Sequence, residues 1–309
     1  MASKATGRAR CVVGAFLALG SGLLAAAVTV SLPETACTPA SALFLDGLES
    51  IPRLPVDDSA GSGGASGAFA ASTHVAGIGN GTQTWYGYAP ALTLQRPLPL
   101  VLLLHGGAGS PAAADTAAMQ LRDQWQPLAA ARGFLLVVPV AGGNAGGWLA
   151  PSGPGDHPSD YDVISAALAD AESMYRVNRT RRYGWGFSAG GHVMHDLAIN
   201  GFAPTFSEPN MAAYAVSAGL LPALACSGMT SAQCDALLSA VPRPLPVLIR
   251  IGSSDAYQPY AAADRNRFLA NGWTSDSSLG YSVFSGGHVI DAGEPAASWS
   301  FLCRFATIP

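Results

Sequence analysis

Residues 183–200 read YGWGFSAGGHVMHDLAIN. The strand-like run Tyr183–Phe187 leads directly into a G-x-S-x-G motif, and a helix-like segment, Gly190–Asn200, follows it. In this strand–turn–helix context the serine sits on a tight, strained turn, and the small residues around it let strand and helix approach closely. The hydroxyl of Ser188 then stands exposed, and we predict that Ser188 is a nucleophile.

A serine hydroxyl is a poor nucleophile until a base removes its proton. The chain has six histidines, and His288, in the sequence SGGH, follows the last predicted central strand and precedes the last predicted helix. That is where the chain order Ser…Asp…His places the base. The remaining histidines lack this position: His74 precedes the sheet, and His157 lies in a Gly/Pro-rich loop without a motif. His192 and His195 lie on the helix after the serine, where a structural role is the safer expectation.

The carboxylate that orients the imidazole should lie on a loop between the nucleophile and the base. Asp255, in the sequence GSSD, comes directly after the predicted strand Val247–Ile251 and is our choice. Asp264, in a helix-like stretch, and Asp276, in a Ser-rich loop, are weaker alternatives.

Acyl transfer also needs backbone N–H groups aimed at the developing oxyanion. Residues 104–109 read LHGGAG, follow the first predicted central strand and resemble an HGGG-type oxyanion loop. We expect one donor at Ala189 and the other at Gly107, with Ala108 as the alternative, and we expect His105 to brace the loop. Since the loop lacks the lysine and the glycine spacing of nucleotide-binding loops, a phosphate role is excluded.

Short apolar runs alternate with helix-like segments, which predicts an α/β domain with a mostly parallel central sheet and helices on both faces. The predicted central strands are Leu100–Leu104, Phe134–Pro139, Tyr183–Phe187, Ala213–Ser217, Val247–Ile251 and Tyr281–Phe284. The predicted helices are Asp115–Ala131, Tyr161–Tyr175, Gly190–Asn200, Ala261–Leu269 and Pro295–Phe305. Gln83–Ala89 is expected in an antiparallel pair at the edge of the sheet.

Taken in order, the motifs LHGG, GFSAGG, Asp255 and GGH resemble the α/β-hydrolase superfamily, over roughly residues 83–309. Within it the chain is most similar to the secreted polyhydroxybutyrate depolymerase and feruloyl/acetylxylan esterase group. That resemblance implies a Ser188–His288–Asp255 triad and hydrolysis of carboxylic esters. Two departures weaken the subfamily assignment: the group often has cysteine at Gly107, and an aromatic-proline pair where this chain has Val289-Ile290. A small or soluble ester is expected, because no substrate-binding domain follows.

The composition excludes several other classes of function. Of the 309 residues, 49% are hydrophobic and only 12% are charged, and the net charge is −4. Nucleic acid is therefore not an expected partner. The only lysine is Lys4, which rules out Schiff-base chemistry and Ser-Lys dyads. No cofactor is expected, and no metal site, because the HVMH spacing in the helix after Ser188 has no further ligand set.

The N-terminus has a basic segment followed by an uncharged apolar stretch from Cys11 to Pro33. We expect residues 1–36 to be a signal peptide, with Ala25–Ala27 as a cleavage site, or an uncleaved membrane anchor. Either places the rest of the chain outside the cytoplasm. Residues 37–72 are expected to form a flexible Gly/Ser/Pro-rich linker and residues 73–309 the catalytic domain.

The chain has four cysteines beyond the leader, an even number that suggests disulfides in an exported protein. Four cysteines can form two disulfides in three ways. The short separation of Cys226 and Cys234 favours that pair, and Cys37 and Cys303 then form the other. Buried free thiols are the alternative.

Trp148 and Tyr257 are candidate substrate contacts, although either aromatic side chain could equally pack in the core. Three readings compete with an esterase: a peptidase of the prolyl-oligopeptidase type, an acyltransferase and a non-catalytic surface protein. The oligomeric state is left open.

Overall fold

The computed structural model describes residues 28–32, 34–37, 57–78, 81–91, 97–153, 155–203 and 205–308. Its strands are β1 (Val28–Ser31), β2 (Gly67–His74), β3 (Thr82–Ala89), β4 (Leu98–Leu104), β5 (Leu135–Pro139), β6 (Val177–Phe187), β7 (Ala213–Ser217), β8 (Val247–Gly252), β9 (Leu279–Phe284) and β10 (Phe305–Ile308). Its helices are α1 (Pro111–Arg132), α2 (Asp160–Met174), α3 (Ala189–Ile199), α4 (Ser231–Ser239), α5 (Gln258–Ala270) and α6 (Glu294–Leu302).

Eight of these strands form the central sheet, in the order β2-β3-β5-β4-β6-β7-β8-β9. All neighbours from β5 to β9 in this order are parallel. Strands β2 and β3 add an antiparallel edge. The predicted mostly parallel sheet is therefore confirmed, and so is the antiparallel position of Gln83–Ala89, which lies in β3.

Strand β4 shows how the sheet is covered on both faces. Its sequence, LPLVLLL, is apolar throughout, and successive side chains of a strand point to opposite faces. Leu102 and Leu104 pack in the cluster that contains residues of α2, α3 and α5, whereas Val101 and Leu103 pack in the cluster that contains residues of α1 and α6. The helices therefore lie on both sides, as predicted.

Both ends of helix α1 are capped. The Ser110 hydroxyl accepts a hydrogen bond from the Ala113 N–H at 3.2 Å, and Gly133, which follows the last helical residue, has a left-handed φ of 74°. Glycine takes this conformation without the steric cost of a Cβ atom. Since α1 directly follows the loop after β4, these caps fix its first turn beside that loop.

The first and last described strands form a separate two-stranded ribbon. Strand β1 pairs antiparallel with β10, with Val28 opposite Ile308. A disulfide joins Cys37 to Cys303, and the Trp299 indole donates to the Cys37 carbonyl at 3.3 Å. The second predicted disulfide, Cys226–Cys234, is also present.

The predicted start of the folded unit at residue 73 is wrong. Strand β2 begins at Gly67, and the buried Ser59 hydroxyl donates to the Tyr175 carbonyl at 2.7 Å and accepts from the Val177 N–H at 2.8 Å. The segment resembles a linker in sequence because β2 is an edge strand, with Phe69 as its one large apolar side chain. Of the expected linker, residues 38–56 lie outside the described residues.

The expected leader, residues 1–36, also extends too far, because β1 lies within it. Residues 1–27 are outside the described part of the chain. Among the residues that are described, no helix is long and apolar enough to cross a membrane.

Further elements differ from the sequence prediction, among them β6, which begins at Val177 and not at Tyr183. Helix α4 was not expected, and the last helix ends at Leu302, so that Phe305 belongs to β10. The chain leaves the helix where Cys303 forms its disulfide and Phe305 meets β1.

The two disulfides should contribute unequally to stability. Cys37–Cys303 spans 266 residues and Cys226–Cys234 spans 8, and a longer closed loop removes more entropy from the unfolded chain. We expect replacement of Cys37 and Cys303 by serine to lower the free energy of unfolding by about 2–5 kcal/mol, and replacement of the short pair to cost less. Denaturant unfolding of both double variants measures this, and an equal loss would contradict the ranking.

Candidate active site

The turn between β6 and α3 holds Ser188 in a strained backbone conformation. Ser188 has φ 50° and ψ −116°, a region that L-residues rarely adopt. The surrounding glycines have no room for a side chain: a Cβ atom would lie 2.2 Å from the Gly190 carbonyl oxygen if placed on Gly186, and 2.3 Å from the Leu104 carbonyl oxygen if placed on Gly190. The motif's small residues are therefore required by backbone contacts.

Ser188, His288 and Asp255 form one hydrogen-bonded chain. The His288 Nδ1 lies 2.8 Å from Asp255 Oδ2, and its Nε2 lies 2.9 Å from Ser188 Oγ. Since Asp255 can only accept when ionised, Nδ1 carries the proton and Nε2 accepts from the serine hydroxyl. The Asp255 side chain is 1% exposed and His288 41% exposed, so the carboxylate is shielded while the imidazole faces solvent.

Backbone contacts hold the turn that carries Asp255, after β8, against the histidine loop, which follows β9 and carries His288. The Ser254 N–H donates to the Gly286 carbonyl at 2.7 Å, and a Cβ atom on Gly252 would lie 2.3 Å from the Gly287 carbonyl oxygen. The second Asp255 oxygen accepts from the Tyr257 N–H at 2.8 Å. Both carboxylate oxygens therefore have a partner, which limits rotation of the group that orients His288.

The loop after β4 lies against the turn that carries Ser188, because Leu104 is the parallel partner of Gly186. The Ala108 N–H donates to the Gly146 carbonyl at 3.1 Å, so it is not free for an oxyanion. Among the described residues the Gly107 N–H has no such partner, and Ala189 is the first residue of α3, where helical N–H groups lack intrahelical acceptors. Of the two alternatives from the sequence, the geometry favours Gly107.

His105 braces this loop, as expected. Its Nε2 accepts from the Ala141 N–H at 3.1 Å, and its Nδ1 therefore donates to the Gly106 carbonyl at 2.7 Å. Burial lowers the pKa of His105 below its usual value, which keeps the ring neutral. The Trp148 indole donates to the His105 carbonyl at 2.8 Å, so this side chain supports the loop from behind.

Asp160 is a supporting residue that sequence reasoning missed. This fully buried carboxylate accepts from the Gly142 N–H at 3.0 and 3.1 Å and from the Leu149 N–H at 2.7 Å. It thereby closes the loop 141–149, which supplies the Gly146 carbonyl and the Trp148 indole described above. Burial raises the pKa of Asp160 to about 6, while the backbone donors lower it. Its only sequence signal is its place after Ser159, at the start of a helix.

A buried ion pair lies under the loop that carries His288. The Arg250 Nε donates to Glu294 Oε2 at 2.9 Å, and the Trp185 indole donates to Glu294 Oε1 at 3.1 Å. Glu294 is fully buried and begins α6. The histidine loop is thus fixed at its far end by a charged contact to the sheet.

The other candidate residues lie away from this chain of hydrogen bonds. His192 accepts from the Leu220 N–H at 2.9 Å, and burial and the charge of His288 lower its pKa to about 4. Asp264 is buried and accepts from the Leu221 N–H at 2.9 Å, and Asp276 lies in a turn with φ 61°. Neither acid takes the place of Asp255, and the described residues contain no cluster suited to a metal ion.

A cavity of about 370 Å³ opens beside the oxyanion loop. We call it the α1 groove, and its lining consists of His105, Gly106, Gly107, Ala108, Ala113, Ala117, Gln120, Leu121, Gln124, Phe187 and Ile290. Neither Trp148 nor Tyr257 is part of this lining. The Tyr257 ring packs edge-on against the His288 ring, with centroids 5.1 Å apart. A role in substrate contact stays a prediction for both aromatic residues.

Comparisons with known proteins agree with this architecture. No protein-family profile and no curated sequence matches the chain. Among solved structures, a ferulic acid esterase is 18% identical, with a TM-score of 0.54 over 77% of this chain and 100% of that one. FphF, a fluorophosphonate-binding serine hydrolase of Staphylococcus aureus, is 14% identical, with a TM-score of 0.57 over 78% and 99%. The protein has the α/β-hydrolase fold.

A third solved structure extends the comparison within this fold. The S-formylglutathione hydrolase of Agrobacterium tumefaciens is 16% identical to this chain, with a TM-score of 0.51 over 80% of it and 96% of the other. At such identities the likeness establishes the fold, and the chemistry must be argued from the site itself.

Replacement of Asp160 by asparagine should loosen loop 141–149. An amide would turn an N–H donor toward backbone N–H groups that need an acceptor, leaving at least one unpaired. We expect amide hydrogen exchange in residues 141–149 and at Ala108 to speed up by at least about 10-fold, since about 1.4 kcal/mol of local stability corresponds to that factor. Mass spectrometry of exchanged peptides measures it.

Asp156→Asn is the matched control, because Asp156 is exposed and bonds to Ser152 in the neighbouring loop. Unchanged exchange in the Asp160 variant would show that the carboxylate does not hold the loop.

Proposed function

We propose that this protein is an exported serine hydrolase that cleaves carboxylic esters through Ser188, His288 and Asp255. The hydrogen-bonded chain from Asp255 through His288 to the strained Ser188 carries this proposal, because it can remove the serine proton as the hydroxyl attacks. The adjacent Gly107 and Ala189 N–H groups complete the set needed for acyl transfer.

The reaction would proceed in two steps. Ser188 Oγ attacks the ester carbonyl carbon while His288 Nε2 takes its proton, and the Gly107 and Ala189 N–H groups bind the oxyanion. When the tetrahedral intermediate collapses, the carbon–oxygen bond to the alcohol breaks and His288 returns the proton to the leaving oxygen. Water then attacks the acyl-enzyme while His288 takes one of its protons, and His288 returns that proton to Ser188 Oγ as the bond between the acyl carbon and Oγ breaks and the acid leaves. Asp255 stabilises the imidazolium in both steps.

The exposure of His288 favours hydrolysis over acyl transfer to another acceptor. Because 41% of the His288 side chain is exposed, water can reach the position beside it from which it must attack the acyl-enzyme. An acyltransferase would need to exclude that water. A peptidase would use the same three residues, and a panel of amide and ester substrates separates the two activities.

The substrates that we propose are short-chain esters, polyhydroxyalkanoate oligomers and feruloyl or acetyl esters of polysaccharides. The motif resemblance supports this range, and one of the similar structures carries the name ferulic acid esterase.

Export is supported by the two disulfides, since these bonds persist in oxidising compartments. We propose that the leader is removed after Ala27, because Val28 begins a strand of the fold and the preceding Ala25–Ala27 run suits a small-residue cleavage site. N-terminal sequencing of the exported protein should then read VTVSLPE. A protein that retains residues 1–27 would contradict cleavage and support an anchor.

Ser188→Ala should lower the hydrolysis of nitrophenyl acetate by at least about 10³-fold, since removing the nucleophile leaves only the contributions of the oxyanion site and binding. The control is Ser300→Ala, on the exposed side of α6, and it should match the unaltered protein. Labelling by a fluorophosphonate should depend on Ser188 alone. Equal rates for the Ser188 variant and the unaltered protein would refute this nucleophile.

A further inference from the structure

The α1 groove adjoins the oxyanion loop, whose Gly106 faces the reacting serine. A Cβ atom placed on Gly106 would be 2.9 Å from the Phe187 ring and 3.4 Å from the Ser188 Cβ, and one placed on Gly107 would be 3.9 Å from the Ala189 Cβ. The part of the groove wall formed by this loop therefore also carries one of the proposed oxyanion donors, Gly107.

We propose that the α1 groove binds the acyl part of the ester, and that the preferred acyl group is uncharged, mainly apolar and longer than acetyl. This rests on the proposed ester hydrolysis. The cavity of about 370 Å³ falls within the usual range of small-molecule sites, about 300–1,000 Å³.

The groove reaches both the oxyanion loop and the histidine loop. The leaving oxygen must receive its proton from His288 Nε2, which lies 2.9 Å from Ser188 Oγ. His288 does not line the groove, but the Phe187 ring, which does, packs against the His288 ring with centroids 5.1 Å apart, and Ile290 follows in the same loop. Because Gly107, a proposed oxyanion donor, lines the groove and the proton donor His288 does not, the acyl group is assigned to the groove and the alcohol to the His288 side.

The groove lining carries no ionised side chain. His105 is held neutral by its contacts, and the charged residues of α1 point elsewhere: Asp115 accepts from the Tyr86 hydroxyl, and Arg122 pairs with Asp123. An ionised group entering the groove would lose water without gaining a counter-charge, which costs free energy. An acyl group with a terminal carboxylate or ammonium is therefore disfavoured.

Two alanines set the width of the groove. Ala113, Ala117 and Leu121 are spaced four residues apart, so they share one face of α1. A larger side chain at Ala117 would occupy the space between α1 and Phe187. Farther along the same face, Gln120 and Gln124 supply amide groups that can bond to a hydroxyl or carbonyl on the acyl chain.

Nitrophenyl esters with a constant leaving group test the proposal. We expect kcat/KM to be about 10–100-fold higher for the hexanoate ester than for the acetate ester. For the monoester of adipic acid, which is ionised at its far end, we expect kcat/KM to be at least about 10-fold lower than for the hexanoate ester. Ala117→Phe should collapse the ratio of hexanoate to acetate by at least about 10-fold. Ala130→Phe, on the exposed side of the same helix, should leave the ratio as it was.

The outcomes separate this inference from the proposed function. Absence of both ester hydrolysis and fluorophosphonate labelling in the unaltered protein would refute the function. The assignment of the groove would be refuted if the Ala117→Phe variant is active and labelled by the fluorophosphonate, yet keeps the hexanoate-to-acetate ratio of the unaltered protein. If the variant changes selectivity among acetates of ethanol and hexanol, with the acyl series unaffected, the groove holds the alcohol and the acyl assignment is wrong.

Discussion

The active-site edge of this fold depends on one steric constraint, the close approach of α3 to the ends of the central strands. Gly190 lies against the Leu104 carbonyl of β4, and Gly191 lies against Gly219, where an added Cβ atom would be 2.8 Å from the Gly219 Cα. Any side chain at these positions would push the helix away from the sheet. With the helix in place, the parallel registers bring the loops after β4, β6 and β8 to the same edge, where the proposed oxyanion donors, nucleophile and acid meet.

Buried polar contacts then hold each loop at that edge. Asp160 closes the loop behind the oxyanion donors, and the Arg250–Glu294 pair anchors the start of α6 beyond His288. Each is expensive to bury alone and is matched by several donors or a counter-charge. The loops of the site are therefore held in place by buried groups that do not touch a substrate, Asp160 and the Arg250–Glu294 pair, while His288 itself is exposed to solvent.

The sequence was most informative where hydrophobic pattern and glycine chemistry agree. The strand Ala213–Ser217 has the predicted bounds, and Ser188, Asp255 and His288 come together as their chain order suggested. Prediction was wrong for β2, whose small Gly, Ala and Ser side chains resemble a linker and become a strand only by pairing with β3. Asp160 could not be found, because its role depends on a loop whose backbone conformation no local pattern encodes.

The ribbon of β1 and β10 and the disulfide Cys37–Cys303 both join a segment near the start of the described chain to one near its end. A chain is made from its N-terminus, so Cys37 is synthesised 266 residues before its partner. Until Phe305–Ile308 has been made, β1 has no strand to pair with and Cys37 lacks its native partner. The two-stranded ribbon and the longer of the two disulfide loops are therefore completed by the residues that are synthesised last.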